Sequence, residues 1–334
     1  YGRQPGIEPL MKTTSSLLLL TLIAMQPANA AETRPTTPRS RQFRLDIGAT
    51  VKALPQGATV RVWLPVPPSN QNQTVKALTP SLPAQGKLSQ EPKYGNQVLY
   101  FQKKVSSSRP LRFNTPYQIK RHEVRALEQK KGQQQALAPS KKELYLAPNQ
   151  KVPLTGQPLK LLAQVELMKN QPLALARQLY NRVDEHVRYD KSQPGYGNGD
   201  VLWVCNSQFG NCTDFHSLFI GEARSMKIPS RFVMGFPIPE DKEGTVGGYH
   251  CWADYYIYGK GWYPVDISEA DKVPDKKDYF FGTVDENRVE MMVGRDFILK
   301  GYESKTINFF IYPLIEINDK ESFSFTNNIS YKNL

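Results

Sequence analysis

The stretch Gly210-Asn211-Cys212-Thr213-Asp214-Phe215-His216-Ser217-Leu218-Phe219, with its continuation to Phe236, constrains this chain more than any other. Asn211 is a residue type that caps helix N-termini. Apolar side chains at Phe215, Leu218, Phe219, Ala223 and Met226 recur at helical spacing, so the pattern predicts a buried helix beginning at Cys212. A thiol on the first turn meets unpaired N–H groups and partial positive charge, which favour the thiolate, the nucleophilic form of cysteine. A lone cysteine is more often a small buried hydrophobe than a nucleophile. The chemical reading therefore depends on partners elsewhere in the chain.

Two such partners lie in Gly247-Gly248-Tyr249-His250-Cys251-Trp252-Ala253-Asp254-Tyr255-Tyr256-Ile257-Tyr258-Gly259-Lys260-Gly261-Trp262-Tyr263-Pro264-Val265-Asp266. Aromatic and β-branched residues dominate and glycines punctuate, which predicts two strands with a turn near Gly259. If Ile257-Tyr258-Gly259 is a three-residue loop, Tyr256 faces Lys260, Trp252 faces Pro264, and His250 faces Asp266, within reach of a hydrogen bond. If Gly259-Lys260-Gly261 is the loop, His250 and Asp266 share a face four residues out of register, too far for contact.

In this order, Cys at a helix start, then His250-Cys251-Trp252, Gly261-Trp262 and Asp266, the chain resembles the transglutaminase-like superfamily of papain-like cysteine enzymes, and among them secreted bacterial members. The resemblance extends to Gly210–His216, to Ile228-Pro229 with Arg231-Phe232, to Phe280-Phe281-Gly282, and to Glu286-Asn287-Arg288-Val289. It covers roughly residues 170–300. It implies a nucleophile at Cys212, a base at His250, and an orienting carboxylate at Asp266. No side chain matches the one that helps hold the oxyanion in better-known transglutaminases.

The remainder divides by composition. After Met11 come Lys12, an apolar run between Leu17 and Met25, and Ala28-Asn29-Ala30, which read as a signal peptide cleaved between Ala30 and Ala31. The run is too short to span a bilayer, so no stable membrane span is expected after cleavage and the destination is periplasmic or secreted. Residues 31–41 read as a flexible leader. From Phe43 the period becomes two, and residues 42–125 read as an antiparallel β-sandwich, as in the secreted relatives. Residues 126–158 read as a linker, 159–317 as the catalytic domain, and 318–334 as a polar tail. The expected fold is α+β: a β-sandwich followed by a papain-like transglutaminase core, its Cys-bearing helix packed on an antiparallel sheet.

The net charge of +12 comes without a long basic run or a nucleic-acid motif. Attraction to anionic cell-envelope polymers fits it better than nucleic acid. Three cysteines leave one unpaired, and Cys205 with Cys251 is the pairing that spares the nucleophile. A rival metal reading would combine Cys212 and His216 with His250, Cys205 or Cys251. It lacks a preformed C-x-x-C half-site, so no metal or cofactor is expected. The expected chemistry is acyl transfer through a thioester, with hydrolysis of a peptide or isopeptide favoured. Cross-linking to an amine and a catalytically silent envelope-binding module are the alternatives.

Overall fold

Period-two alternation builds the first layers. The computed structural model describes residues 37–334 except 53, 129–135 and 164. The expected signal peptide, its cleavage position and the leader as far as residue 36 lie outside the described residues. Strands β1 (Ser40–Val51), β2 (Thr59–Val66), β3 (Gln73–Ala77), β4 (Lys87–Gln90), β5 (Gln97–Lys104) and β6 (Leu111–His122) belong to two antiparallel sheets. Alternate residues of β1, namely Phe43, Leu45, Ile47, Ala49 and Val51, are all buried. That single face serves two cores. Ala49 and Val51 pack with Val60, Val62, Phe101 and Phe113 inside the sandwich, whereas Phe43, Leu45 and Ile47 join the core that contains the Cys212 helix.

That second core is built from helices α1 (Pro172–His186), α2 (Val201–Ser207), α3 (Cys212–Ser225) and α4 (Ile267–Lys272), and from strands β7 (Ser230–Pro237), β8 (Glu243–Thr245), β9 (His250–Ile257), β10 (Gly261–Val265) and β11 (Arg288–Val293). Four of the strands form one antiparallel sheet in the order β10-β9-β7-β11, and α3 packs against β9 and β7. Phe215, Leu218, Phe219 and Ala223 of α3 are wholly buried. Each large apolar side chain so buried stabilises the fold by about 1.5–3 kcal/mol. Polar positions of α3 are buried as well, so the helix is a central one with no solvent face.

The C-terminal region returns to the sandwich. Strand β12 (Leu314–Ile317) pairs with β2, β13 (Lys320–Glu321) with β12, and β14 (Phe325–Asn333) with β1 along Phe43↔Asn333 to Val51↔Phe325. The sheets therefore run β8-β14-β1-β6-β3 and β13-β12-β2-β5-β4. This corrects the expected polar tail at 318–334. It also moves the end of the 159–317 span into the sandwich. Ile329 and Tyr331 of β14 are buried while Thr326, Asn328, Ser330 and Lys332 face solvent, so one-sided burial gave the segment a polar average. Residues 126–158 are not a free linker either, because they contain the helix Pro139–Leu146, whose Tyr145 is buried and meets Trp262 edge-on at 5.2 Å.

Candidate active site

Asn211 caps α3 as its residue type predicts. Its side chain accepts from the Thr213 N–H at 2.8 Å, and Asp214 closes a capping box by accepting from the Asn211 N–H at 2.9 Å. Asp214 does more than cap. Its carboxylate also takes the N–H groups of Gly197 at 2.6 Å and Gly199 at 2.9 Å, which fastens the 195–200 loop to the helix start. Burial pushes the Asp214 carboxyl up, against the lowering effect of those three N–H donors. Gly199 has φ +56°, and a Cβ there would lie 2.4 Å from Ser217 Oγ, so a side chain is excluded on two grounds. Arg295 completes the clamp from below, donating to Gly199 O at 3.0 Å, Ser217 Oγ at 2.8 Å and Asn198 O at 3.1 Å. Sequence reasoning missed Arg295 altogether, since a single arginine after β11 carries no local signal.

The hairpin of β9 and β10 adopts neither of the two registers weighed from the sequence. Ile257 pairs with Gly261, Tyr256 with Trp262 and Asp254 with Pro264, leaving Tyr258-Gly259-Lys260 as the loop. His250 and Asp266 are therefore diagonal neighbours on one face, not directly opposed. Diagonal positions lie about 7–8 Å apart and stay within reach of long side chains. The contact forms because the chain leaves β10 after Val265 and Asp266 becomes the N-cap of α4, turning its carboxylate back toward the imidazole. His250 Nε2 lies 2.6 Å from Asp266 Oδ2. Asp266 N donates to Phe280 O at 3.0 Å and Gly282 N to Pro264 O at 2.8 Å, which gives the Phe280-Phe281-Gly282 motif a structural task. Arg288, from the other tail motif, lies 4.0 Å from Asp266 and 3.4 Å from Glu269.

Cys212, His250 and Asp266 are brought together, with exposures of 3%, 5% and 2%. Cys212 and His250 are close enough for each to shift the titration of the other. Burial opposes charge on Cys212, but hydrogen bonds from the Cys251 thiol and the His250 ring, together with the imidazolium charge, hold the Cys212 thiol well below its ordinary value. Burial likewise disfavours an imidazolium at His250, yet the Asp266 charge outweighs it and raises His250 to about 9. Asp266 itself is depressed: burial works against its charge, and His250 overcomes that. These directions favour a thiolate–imidazolium pair over the neutral thiol and imidazole.

His216, one turn after Cys212, has a different place. Its Nδ1–H donates to Cys212 O at 2.6 Å and its Nε2 accepts from the Ile267 N–H at 2.9 Å, and burial lowers its pKa. A neutral ring wedged between two backbone groups links α3 to α4 and leaves no nitrogen for a metal. His250, Asp266 and Glu269 also cluster within 4.8 Å, but Arg288 and Lys272, the latter 2.7 Å from Glu269, already supply positive charge there. All three cysteines are free and buried, which corrects the Cys205–Cys251 pairing. Cys251 Sγ is engaged at the Cys212 helix instead, 3.6 Å from Thr213 Oγ1.

The residue before His250 is a further neighbour that the sequence reading passed over. The Tyr249 hydroxyl accepts from Asn211 Nδ2 at 3.2 Å and pairs with Thr213 Oγ1 at 3.0 Å. It thus rests on both residues that flank Cys212. Tyr249 also borders an apolar cleft of about 320 Å³ walled by Met234, Phe309 and Tyr312.

A buried helix that carries Cys212, packed on a sheet that carries His250 with Asp266 behind, is arranged like a transglutaminase-like core of papain-like fold. Residues 160–267 match the Transglutaminase-like superfamily, and that span holds all three side chains. Over 188 residues the chain is 30% identical to an uncharacterized protein of Haemophilus influenzae, covering 46% of this chain and 51% of the relative. It thus spans about half the length of that curated relative. Among solved structures it is similar to one described as a candidate cysteine protease from Cytophaga hutchinsonii, with 15% identity, a TM-score of 0.50, and coverage of 89% of this chain and 99% of that one. The periplasmic domain of TgpA from Pseudomonas aeruginosa matches with 13% identity and a TM-score of 0.35, over 71% of this chain and 90% of that one. Among the described residues no helix is long and apolar enough to cross a membrane.

Proposed function

We propose that this protein is an exported cysteine acyl-transfer enzyme that hydrolyses a peptide or isopeptide bond, with Cys212 as nucleophile, His250 as acid and base, and Asp266 as the group that orients the imidazole. The observation that carries this reading is the His250 ring held by Asp266 at 2.6 Å beside a thiol on the first turn of a helix. The thiolate attacks the amide carbonyl, and His250 protonates the departing amine through Nδ1. A thioester to Cys212 remains. Water then attacks it, giving up a proton to His250, and the acid leaves.

The oxyanion formed in each step needs donors. The Cys212 N–H is the first on the helix and has no acceptor among the described residues. The Tyr249 hydroxyl, placed by Asn211 and Thr213, is assigned as the second donor. The apolar cleft beside Tyr249 favours substrates with an apolar side chain near the scissile bond.

The test is labelling of the purified chain with an acyl-transferring thiol probe, with mass mapping of the adduct, followed by incubation with peptide substrates in the presence and absence of a primary amine. Acylation at Cys212 and release of free acid are expected. Labelling confined to Cys205 or Cys251 overturns the assignment, and amine incorporation in preference to acid release would make the protein a cross-linking enzyme.

A further inference from the structure

The positive charge of this chain is concentrated in its sandwich. Residues 37–125 hold 15 Lys and Arg against 3 Asp and Glu, which equals the whole net charge of +12, so the remainder of the chain is neutral. The strand register gathers part of that excess at one end. Val51 pairs with both Leu111 and Phe325, Thr59 with Lys104, and Ile317 with both Val60 and Lys320. The connections 52–58, 105–110 and 318–324 therefore meet at the same end of the sandwich. Backbone hydrogen bonds fasten them to one another: Lys52 N donates to Ser324 O at 2.9 Å, Gly57 N to Val105 O at 2.8 Å, and Asn318 N to Thr59 O at 2.9 Å.

Lys52, Lys103, Lys104, Arg109, Arg112 and Lys320 are exposed on these connections or on the strand ends beside them. Among the described residues none of the six is in an ion pair. The nearby carboxylates are engaged elsewhere, Glu316 and Asp319 with Arg61 and Glu321 with the Tyr302 hydroxyl at 3.0 Å. Strands lie about 4.8 Å apart and packed sheets about 10 Å apart, so the six cations fall on a face roughly 20 Å across. Like charges gathered on this scale repel, and an anionic partner turns that repulsion into attraction.

The same end carries Phe323, which at 81% is the most exposed large apolar side chain among the described residues. It precedes Ser324, the acceptor of the Lys52 N–H. A soluble polyanion would answer the cations and leave this ring in water. A single-stranded nucleic acid stacks successive bases on several rings, and one ring stands here. A bilayer of anionic phospholipid answers both features, with headgroup phosphates for the cations and the headgroup–acyl boundary for the phenyl ring. A basic patch and an apolar insertion are each weak membrane signals that become effective together.

We propose that this end of the sandwich docks peripherally on the surface of an anionic phospholipid bilayer, with Phe323 entering the headgroup layer. Phe323 also borders the cleft beside Tyr249, so docking would set one wall of that cleft at the lipid surface. The proposal is independent of the acyl-transfer reading.

The test uses the chain from Ala31 onward, so that the apolar run between Leu17 and Met25 takes no part. Co-sedimentation is measured with phosphatidylcholine vesicles and with vesicles containing about 30% phosphatidylglycerol, in about 0.1 M salt. Binding is expected to the anionic vesicles alone, and about 0.5 M salt should weaken it at least ~10-fold. Joint Lys103→Gln and Lys104→Gln substitution should weaken partitioning about 25-fold, since each basic residue at such a surface contributes a factor of about 5. Phe323→Ala should weaken it about 10-fold. The three positions are exposed, so Tm should not change and a loss of binding is not a loss of folding. Cys212→Ala should bind as the parent does, because these lipids carry no amide to cleave. Failure of docking thus leaves the acyl-transfer reading standing, and an inert Cys212 leaves docking standing. Equal binding to both kinds of vesicle, or binding unchanged by the lysine pair, overturns the proposal. So does indifference to Phe323→Ala together with equally tight capture of inorganic polyphosphate, which would make this end a site for a soluble polyanion.

Discussion

At the residue scale the decisive contact is between His250 and Asp266. Asp266 also caps α4, accepting from the Glu269 N–H at 3.3 Å, so Asp266→Asn keeps a competent cap while losing the charge that raises His250. If the three residues act as a unit, that substitution should lower turnover by about 10⁴-fold with little change in melting temperature, as in serine-protease triads. Cys212→Ala and His250→Ala should cost at least as much, and the double variant little more than either. Turnover and Tm measured on the same preparations check this, and near-wild-type turnover in a destabilised Asp266→Asn protein sinks the assignment. The pH dependence has a definite sign. His250, raised to about 9, keeps its proton until pH approaches 9, so kcat/KM should fall through a basic limb near 9 and through an acid limb set by the lowered Cys212 thiol. The His250–Asp266 contribution to stability is complete below the ordinary histidine pKa and fades as pH rises through about 9. That of Asp266 itself is present above the ordinary carboxylate pKa and fades on acidification. Alkylation should be equally selective: Cys205 is pushed up to about 12 by burial, and Cys251 is raised, so iodoacetamide at neutral pH should modify Cys212 first.

At the scale of the element, what could be read from the sequence was what local rules control. Asn211 at a helix start, the helical spacing of Phe215 to Ala223 and the strand character of 250–265 all depend on neighbours in the chain, and each appears where expected. The hairpin register was not readable. Glycines at 259 and 261 permit several three-residue loops, and the choice among them is made by packing of the sheet and by the turn into α4. The contact survived the wrong register because a step of two residues preserves the face, whereas a step of one would have reversed it. Arg295 and Asp214 illustrate the other limit, since they act on a loop that is distant or structurally unmarked in sequence. Gly199→Ala tests that loop: with φ +56° and Ser217 Oγ 2.4 Å from the added carbon, it should destabilise by about 1–3 kcal/mol. Because Asp214 ties the 195–200 loop to the start of the Cys212 helix, a displaced loop should also reduce kcat/KM more than Tm alone explains, which kinetics below the transition temperature can resolve.

At the scale of the whole molecule, the two ends of the described chain complete each other's sheets. β14 is hydrogen-bonded to β1 along nine residue pairs and also accepts β8, a strand from the cysteine-bearing region, through Glu243↔Lys332 to Thr245↔Ser330. The segment that reads as a polar tail therefore joins the sandwich to the region that carries the Cys212 helix. Removing residues 318–334 would strip an interior strand from the first sheet and uncover one edge of β1, whose Phe43, Leu45 and Ile47 lie in the same core as the Cys212 helix. Loss of Ile329 and Tyr331 alone forfeits two buried side chains, about 1.5–3 kcal/mol each, before the unpaired edge is counted. The truncated chain should melt well below the full one and aggregate, and limited proteolysis should cut within the sandwich. Catalytic activity should fall with the folded fraction, and KM should rise in what remains folded, because Glu321, Ser322, Phe323 and Phe325 line the cleft beside Tyr249. The point substitution Ile329→Ala, which leaves the strand pairing in place, should cost about 2–5 kcal/mol and shift Tm in the same direction without aggregation. A truncated protein that melts with the full-length one would return the segment to the status of a tail, and equal melting of Ile329→Ala would show that its burial contributes nothing.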